Sequence, residues 1–272
     1  TKMLGERLGE IKTDYSNVSE KINFEVKNLS SQFNDPFFTD LKNINFTVKH
    51  GEIFGIAGVA GNGQSELMDI LTGENNKIDT GKIIFDNKNI ETFNPKKRRD
   101  LSIAFVPENR LGHSAVPELT LSENILLSQF PNNKFIKNGV IIHQNIENHV
   151  NKVISQFNVV TPGSDVKASS LSGGNLQKFV IGREILTNPK LLIISHPTWG
   201  IDAGAEFAIR ESLINLAKNG TSIIVLSQDL DELFEITHRV SVIFNGTLSD
   251  SFETKNISIE KIGLLMGGQK NV

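Results

Sequence analysis

The chain has 272 residues, of which 38% are apolar and 22% charged, enough for a substantial buried core. Its 28 Lys and Arg against 31 Asp and Glu give a formal charge of −3, which argues against a nucleic-acid partner held by bulk basicity. Cysteine is absent, which excludes disulfides, thiolate metal sites and a cysteine nucleophile. No apolar run approaches the ~20 residues of a membrane-spanning helix.

In chain order, residues 1–21 are polar and aperiodic, and read as a linker. The chain opens at Thr1 with a charged start, so we read it as a soluble piece of something longer. From Ile22 onward short runs of Ile, Val and Phe alternate with amphipathic stretches, the pattern of an α/β domain over 22–272. Strands are expected at Phe24–Val26, Ile44–Val48, Ile53–Ala57, Lys82–Phe85, Ile103–Val106, Leu191–Ile194, Ile223–Leu226 and Val240–Phe244. Several are continuously apolar, as strands buried on both faces are. Helices are expected at Gln64–Leu71, Ser122–Leu127, Gln144–Phe157, Asn175–Leu186, Ala205–Lys218 and Leu230–Ile236. Residues 22–57 hold strands with little helix, which suggests an antiparallel patch. About Glu108 to Ser170 holds helices without a buried strand, which suggests a helical insertion. Asn245-Gly246 between Phe244 and Thr247 signals a type I′ hairpin. Lys96-Lys97-Arg98-Arg99 reads as a solvated helix face or turn.

Gly58-Val-Ala-Gly61-Asn62-Gly63-Gln64-Ser65-Glu66 runs from a strand into a helix and fits the phosphate-loop spacing, except that Gln64 stands at the lysine position. Glycines let several N–H groups converge on an anion, and the helix start adds its positive end. Ser65 has the hydroxyl that holds Mg²⁺ in such loops. Without the lysine charge, affinity falls by roughly 1.5–3 kcal/mol, about ten- to a hundredfold. Alone, the segment fits both a phosphate cradle and a ligand-free turn. A dinucleotide loop fits less well, because Glu66 occupies its third small position.

Further on, Leu171-Ser172-Gly173-Gly174-Asn175 precedes an apolar helix, with Ser172 a candidate N-cap. Then come the apolar run Leu191–Ile194 and Ser195-His196-Pro197-Thr198-Trp199-Gly200-Ile201-Asp202. A phosphate loop, an LSGG loop and a P-T-x-G-I-D loop in this order resemble the ATP-binding subunit of an ABC transporter, over essentially residues 22–265. Met3-Leu-Gly5 and Ile262-Gly-Leu-Leu-Met-Gly267 resemble the linker and end of the second half of duplicated sugar and nucleoside importers. That resemblance implies a P-loop NTPase fold: a RecA-like core sheet, a small antiparallel β subdomain and an inserted helical subdomain at about 108–170.

The resemblance also implies ATP and Mg²⁺ as cofactors, bound by Gly58, Gly61, Asn62, Gly63, Gln64, Ser65, Glu66 and Glu108. It implies that Ser172, Gly173, Gly174, Asn175 and Asp202 face a partner module's nucleotide, because such modules pair head-to-tail. Its departures concentrate on the chain's own phosphate site. Ser195 and His196 stand where the family has an Asp beside Mg²⁺ and a Glu that orients water, and Gln228 replaces the switch histidine. Glu108 takes the place of the family's glutamine, which is common in second halves of this type. His196 is a base in principle, but it lacks the aspartate and lysine beside it. Asp202 is retained, with helix capping as its simpler role. Phe33, Phe37 and Phe38 are candidates to stack on adenine, and Trp199 stands where relatives often carry Arg.

The implied partners are an N-terminal ATPase half of the same subunit, transmembrane permease subunits and, indirectly, an extracytoplasmic solute-binding protein. The implied location is peripheral, on the cytoplasmic face of the membrane. Glu118–Leu127 resembles the stretch that meets the permease. Loss of both strand-end acids leans toward the nucleoside branch. Two alternatives stand beside this: a structural pseudo-ATPase that never binds nucleotide, and a soluble ABC ATPase outside transport.

Overall fold

The computed structural model describes residues 18–33, 35–129 and 134–269. The linker expected over 1–21 falls mostly outside them. Its last residues lie against the turn after the second strand, where Ser19 N–H donates to the His50 carbonyl and His50 N–H to that of Lys21.

Five strands form a parallel core in the order β11(Arg239–Phe244), β3(Ile53–Ala57), β10(Ser222–Ser227), β9(Leu191–Ser195) and β6(Ile103–Val106). Short strands β12(Thr247–Leu248) and β13(Phe252–Glu253) add antiparallel edges to β11. Every residue of β3, β6, β9 and β10 is buried, which explains the apolar runs within them. Alternate residues feed opposite layers. Ile53, Leu192, Ile194, Ile223 and Val225 pack with α5(Gly173–Ile185) and α6(Ala203–Lys218). Phe54, Ile56, Leu191, Ile193 and Ile224 pack with α1(Gln64–Thr72) and a second sheet.

That second sheet is antiparallel, in the order β2(Leu41–Lys49), β1(Ile22–Ser31), β4(Thr80–Phe85), β5(Lys88–Asn89). It is the antiparallel patch expected from the sequence. Between β6 and α5 lie α3(Leu121–Ser128), a two-residue hairpin of β7(Ile136–Lys137) and β8(Val140–Ile141), and α4(His143–Gln156). The remaining helices are α2(Pro95–Asp100), α7(Leu230–Ile236) and α8(Ile259–Met266).

The expected strands and helices are all present. Asn245 and Gly246 have φ of 47° and 71°, and Phe244 pairs with Thr247, as a type I′ turn requires. The basic run needs correction. It forms α2, capped by Asn94, whose side chain accepts from Lys97 N–H, but Arg98 is fully buried rather than solvated. Its guanidinium donates to the carbonyls of Phe93, Ile90 and Leu71, and so covers the C-terminal end of α1.

Parallel register sets where the chemistry lies. Ser227 pairs with Ala57, Leu226 with Ser195, and Ile194 with Val106, so the loops after β3, β10, β9 and β6 leave from one edge of the sheet.

Candidate functional site

The glycine loop joins β3 to α1. Gly61 and Gly63 have φ of 81° and 108°, conformations that residues with a Cβ rarely adopt. A side chain at Gly58 would stand 2.7 Å from Ile243 Cγ2. Gly63 caps α1 with no side-chain bond, whereas Ser172, Asp202 and Asp229 each cap their helix through an oxygen. The first N–H groups of α1 are therefore not taken by a cap. Val59, Ala60 and Gly61 are exposed.

Six hydrogen bonds to residues outside the loop mould it. Thr39 Oγ1 donates to the Gly61 carbonyl (2.8 Å), and Thr39 N–H donates to the buried Glu66 carboxylate (2.8 Å). Asn62 accepts at Oδ1 from Asn245 N–H (3.0 Å), and its carbonyl accepts from Gly246 N–H (3.0 Å). Gln64 is buried, and its amide donates to the carbonyls of Ile56 (3.0 Å) and Ser227 (3.3 Å). A glutamine amide has two hydrogens, so both are committed to strand ends. Ser65 is exposed.

The predicted strand-end residues gather beside this loop. Ser195 and His196 are buried at the end of β9. His196 Nε2 lies 3.9 Å from Glu108 Oε2, which comes from the loop after β6. Burial holds the His196 pKa below the ordinary histidine value, although Glu108 and Asp229 pull it upward. Its ring meets Trp199 edge-on at 5.9 Å, and Trp199 is 65% exposed. Gln228 is half-buried one residue past β10. Sequence reasoning missed Glu232, on α7. Its carboxylate accepts from Thr198 N–H, Thr198 Oγ1 and Ser227 Oγ, and so clamps the ends of β9 and β10 together. Nothing local marks it as a clamp, because Thr198 lies 34 residues upstream.

The residues present fit an anion better than a metal. The loop has the glycines, the uncapped helix start and the exposure that phosphates need. Among the described residues no group of three or more acidic or His side chains is arranged to hold a metal ion. Ser195 offers a divalent ion no charge.

The LSGG turn is elsewhere. Ser172 Oγ accepts from Asn175 N–H at 3.4 Å and from Asn175 Nδ2 at 3.0 Å, as the N-cap expectation requires. Ser172 and Gly173 are exposed. Asn175 Oδ1 accepts from Val160 N–H, and the Cβ position of Gly174 is 3.5 Å from the Gly200 carbonyl. Among the described residues no hydrogen bond or ion pair joins this turn to the glycine loop. Asp202 caps α6 through Ala205 N–H, a bond that lowers its carboxyl pKa. Of the aromatic candidates, Phe33 is stacked on Phe38 at 5.6 Å, and Phe37 is 92% exposed.

A family model described as "ABC transporter" matches residues 41–199. The chain is 39% identical over 228 residues to the nucleoside import ATP-binding protein NupA of Lactococcus lactis, covering 84% of this chain and 45% of that protein. It is 37% identical over 228 residues to the guanosine import ATP-binding protein NupO of Bacillus subtilis, covering 84% and 44%. It is 34% identical over 260 residues to the galactose/methyl galactoside import ATP-binding protein MglA of Escherichia coli, covering 96% and 50%. The chain thus spans about half the length of the curated relatives it matches. Among solved structures, the dimeric bacterial ABC transporter cassette MJ0796 superposes with a TM-score of 0.74 at 22% identity, over 86% of this chain and 100% of that one. The two share the fold.

Proposed function

The chain belongs to the ABC transporter ATP-binding family, and from that premise we propose that it is the second ATPase half of an importer of nucleosides or simple sugars, with its own phosphate site impaired. It lends Ser172, Gly173 and Gly174 to the nucleotide held by a partner half on the same polypeptide. Its own loop, Gly58–Glu66, binds ATP weakly and hydrolyses it little. The N–H groups of the loop and of the α1 start hold phosphates. Bound Mg²⁺ supplies charge neutralisation on the transferring phosphoryl group, and Ser65 is the residue here that would touch it.

The observation that carries this reading is Gln64. It has no charge, and its amide hydrogens are occupied by Ile56 and Ser227. The transferring phosphoryl group therefore lacks the lysine's share of the counter-charge that stabilises the transition state. His196 sits at the strand end as a buried imidazole, and among the described residues the carboxylate within 4.0 Å of it is that of Glu108. Exposure of Ser172 and Gly173, with the helix start behind them, suits a lid presented to another module.

The domain reading goes with this function. Residues 1–21 link the halves, and about 108–170 is the helical subdomain that meets the permease. Permease subunits and a solute-binding protein complete the importer, and the chain lies peripherally on the cytoplasmic face of the membrane. No helix among the described residues is long and apolar enough to cross a membrane. Nucleosides are favoured over sugars because NupA and NupO are more similar to this chain than MglA is, at 39% and 37% against 34% identity.

Titration of the 272-residue chain with Mg-ATP, followed by phosphate release, tests the proposal. Weak saturable binding with negligible turnover is expected. Turnover at the rate of a working transporter would refute it, and complete absence of binding would favour a structural pseudo-ATPase.

A further inference from the structure

Arg110 lies two residues past Glu108, in the loop after β6, and its guanidinium reaches two other segments. Nε donates to Gln177 Oε1 on α5 at 3.0 Å, and Nη2 donates to the Trp199 carbonyl in the loop after β9. Gln177 is buried and passes the connection on, donating from Nε2 to the carbonyls of His196 (3.3 Å) and Pro197 (3.2 Å). The guanidinium also fills the space beside two glycines. An added Cβ at Gly173 would lie 2.9 Å from Nη1, and one at Gly200 3.4 Å from Nη2. Farther along the same helix, Arg183 Nη2 donates to the Ser114 carbonyl at 2.9 Å, which ties the loop after β6 to α5 a second time.

The loop holding Glu108, the helix that begins at Gly173 and the turn leading to Asp202 therefore share one polar junction, centred on Arg110. An arginine suits it, because its planar fork directs donors to two acceptors at once, which an ammonium on a flexible stem does not.

We propose that Arg110 is a positioning residue for ATP hydrolysis. It locks the Ser172–Gly174 turn and the Gly200–Asp202 turn into one rigid lid, so that both reach the partner half's nucleotide in register. Arg110 acts through these segments and does not touch the nucleotide. The inference rests on the proposal that this turn completes a partner's site. Small losses of register at a reacting centre lower the rate of the chemical step more than affinity, because the partner's cradle still binds the substrate.

The experiment measures Mg-ATP turnover of the assembled transporter carrying Arg110→Met, Arg110→Lys, Gln177→Met, the Arg110→Met/Gln177→Met pair, or Gly173→Asp. With Arg110→Met, kcat should fall about tenfold while KM stays within about twofold. Arg110→Lys should fall equally, because a lone ammonium cannot hold both acceptors. The pair should lose no more than the worse single variant, since both side chains belong to one link.

Unchanged kcat in Arg110→Met, with turnover abolished by Gly173→Asp, overturns the inference and leaves the functional proposal standing. Full rescue by Arg110→Lys would mean that charge matters rather than the fork, and overturns it too. So would strictly multiplicative losses in the pair, or a fall in melting temperature and transporter assembly that accounts for the lost rate. If Gly173→Asp leaves turnover untouched, the functional proposal itself fails and the inference with it.

Discussion

The side-chain amide of Gln64 donates to the backbone carbonyl of Ser227 at 3.3 Å, fastening the start of the helix after the glycine loop to the end of a neighbouring core strand. A residue at the lysine position is thereby turned to a structural task. Gln64→Lys should tighten Mg-ATP binding by the 272-residue chain about tenfold, the gain of one charge-assisted hydrogen bond. Turnover should stay negligible, because Ser195 and His196 supply no carboxylate at the strand end. Fluorescent-nucleotide titration and a phosphate-release assay check both halves. Restoration of turnover by this single change would contradict the proposed function.

Trp199 is the chain's one tryptophan and stands 5.9 Å from His196, so its emission reports on that imidazole. A protonated imidazole quenches a neighbouring indole. Burial lowers the His196 pKa, with Glu108 and Asp229 opposing, so quenching should set in only below the ordinary histidine range. The same shift makes the folded state bind this proton less readily than the unfolded chain does. Its contribution to stability is therefore present above the unfolded pKa and lost as pH falls through the window between the two values. In His196→Gln the pH-dependent quenching should vanish. An identical titration in that variant would rule out the assignment.

Asp69, on the helix after the glycine loop, has its pKa raised to about 6 by burial and by Glu74 and Glu66, with His113 acting the other way. The folded state therefore binds this proton more tightly than the unfolded chain, and stability falls as pH rises from about 3.8 toward about 6. Asp69→Asn should be more stable than the parent at pH 7.5 by about 1 kcal/mol, after allowance for solvent screening of a half-exposed group. Urea unfolding at pH 4 and pH 7.5 should show the advantage only at the higher pH.

Arg98→Met should destabilise the fold by about 3 kcal/mol or more, because three carbonyls, those of Leu71 and Ile90 in buried bonds, lose their donor at once. The group is fully buried and its pKa is lowered to about 10, so it remains charged at neutral pH. Chemical denaturation would measure the loss. A cost below about 1 kcal/mol would show that the carbonyls find other partners.

Continuous apolar runs made the core strands readable, because a strand buried on both faces leaves few polar choices. The glycine loop, the LSGG turn and the Asn-Gly hairpin were readable because each requires particular backbone conformations or caps. The helix Pro95–Asp100 was legible only as a helix face or a turn, since a proline and five charged residues carry no apolar period. It is specified by Asn94 at the cap and by Arg98 turned inward, and a run of cations gives no hint of which one faces in. The role of Arg110 is hidden for a related reason. Its meaning depends on Gln177 and on the Trp199 carbonyl, 67 and 89 residues away, and nothing beside it in the chain records that distance.

The bonds from Asn62 to Asn245 and Gly246 tie the cradle to a hairpin 183 residues downstream. Any Cβ at Gly246 would collide with the Asp40 carbonyl, so the hairpin seats against that strand start with no side chain between them. A fragment designed to stop after the last recognisable motif, at Asp202, would retain every residue named for nucleotide contact and still lack the mould that shapes them. Truncation boundaries for expression therefore belong beyond the hairpin.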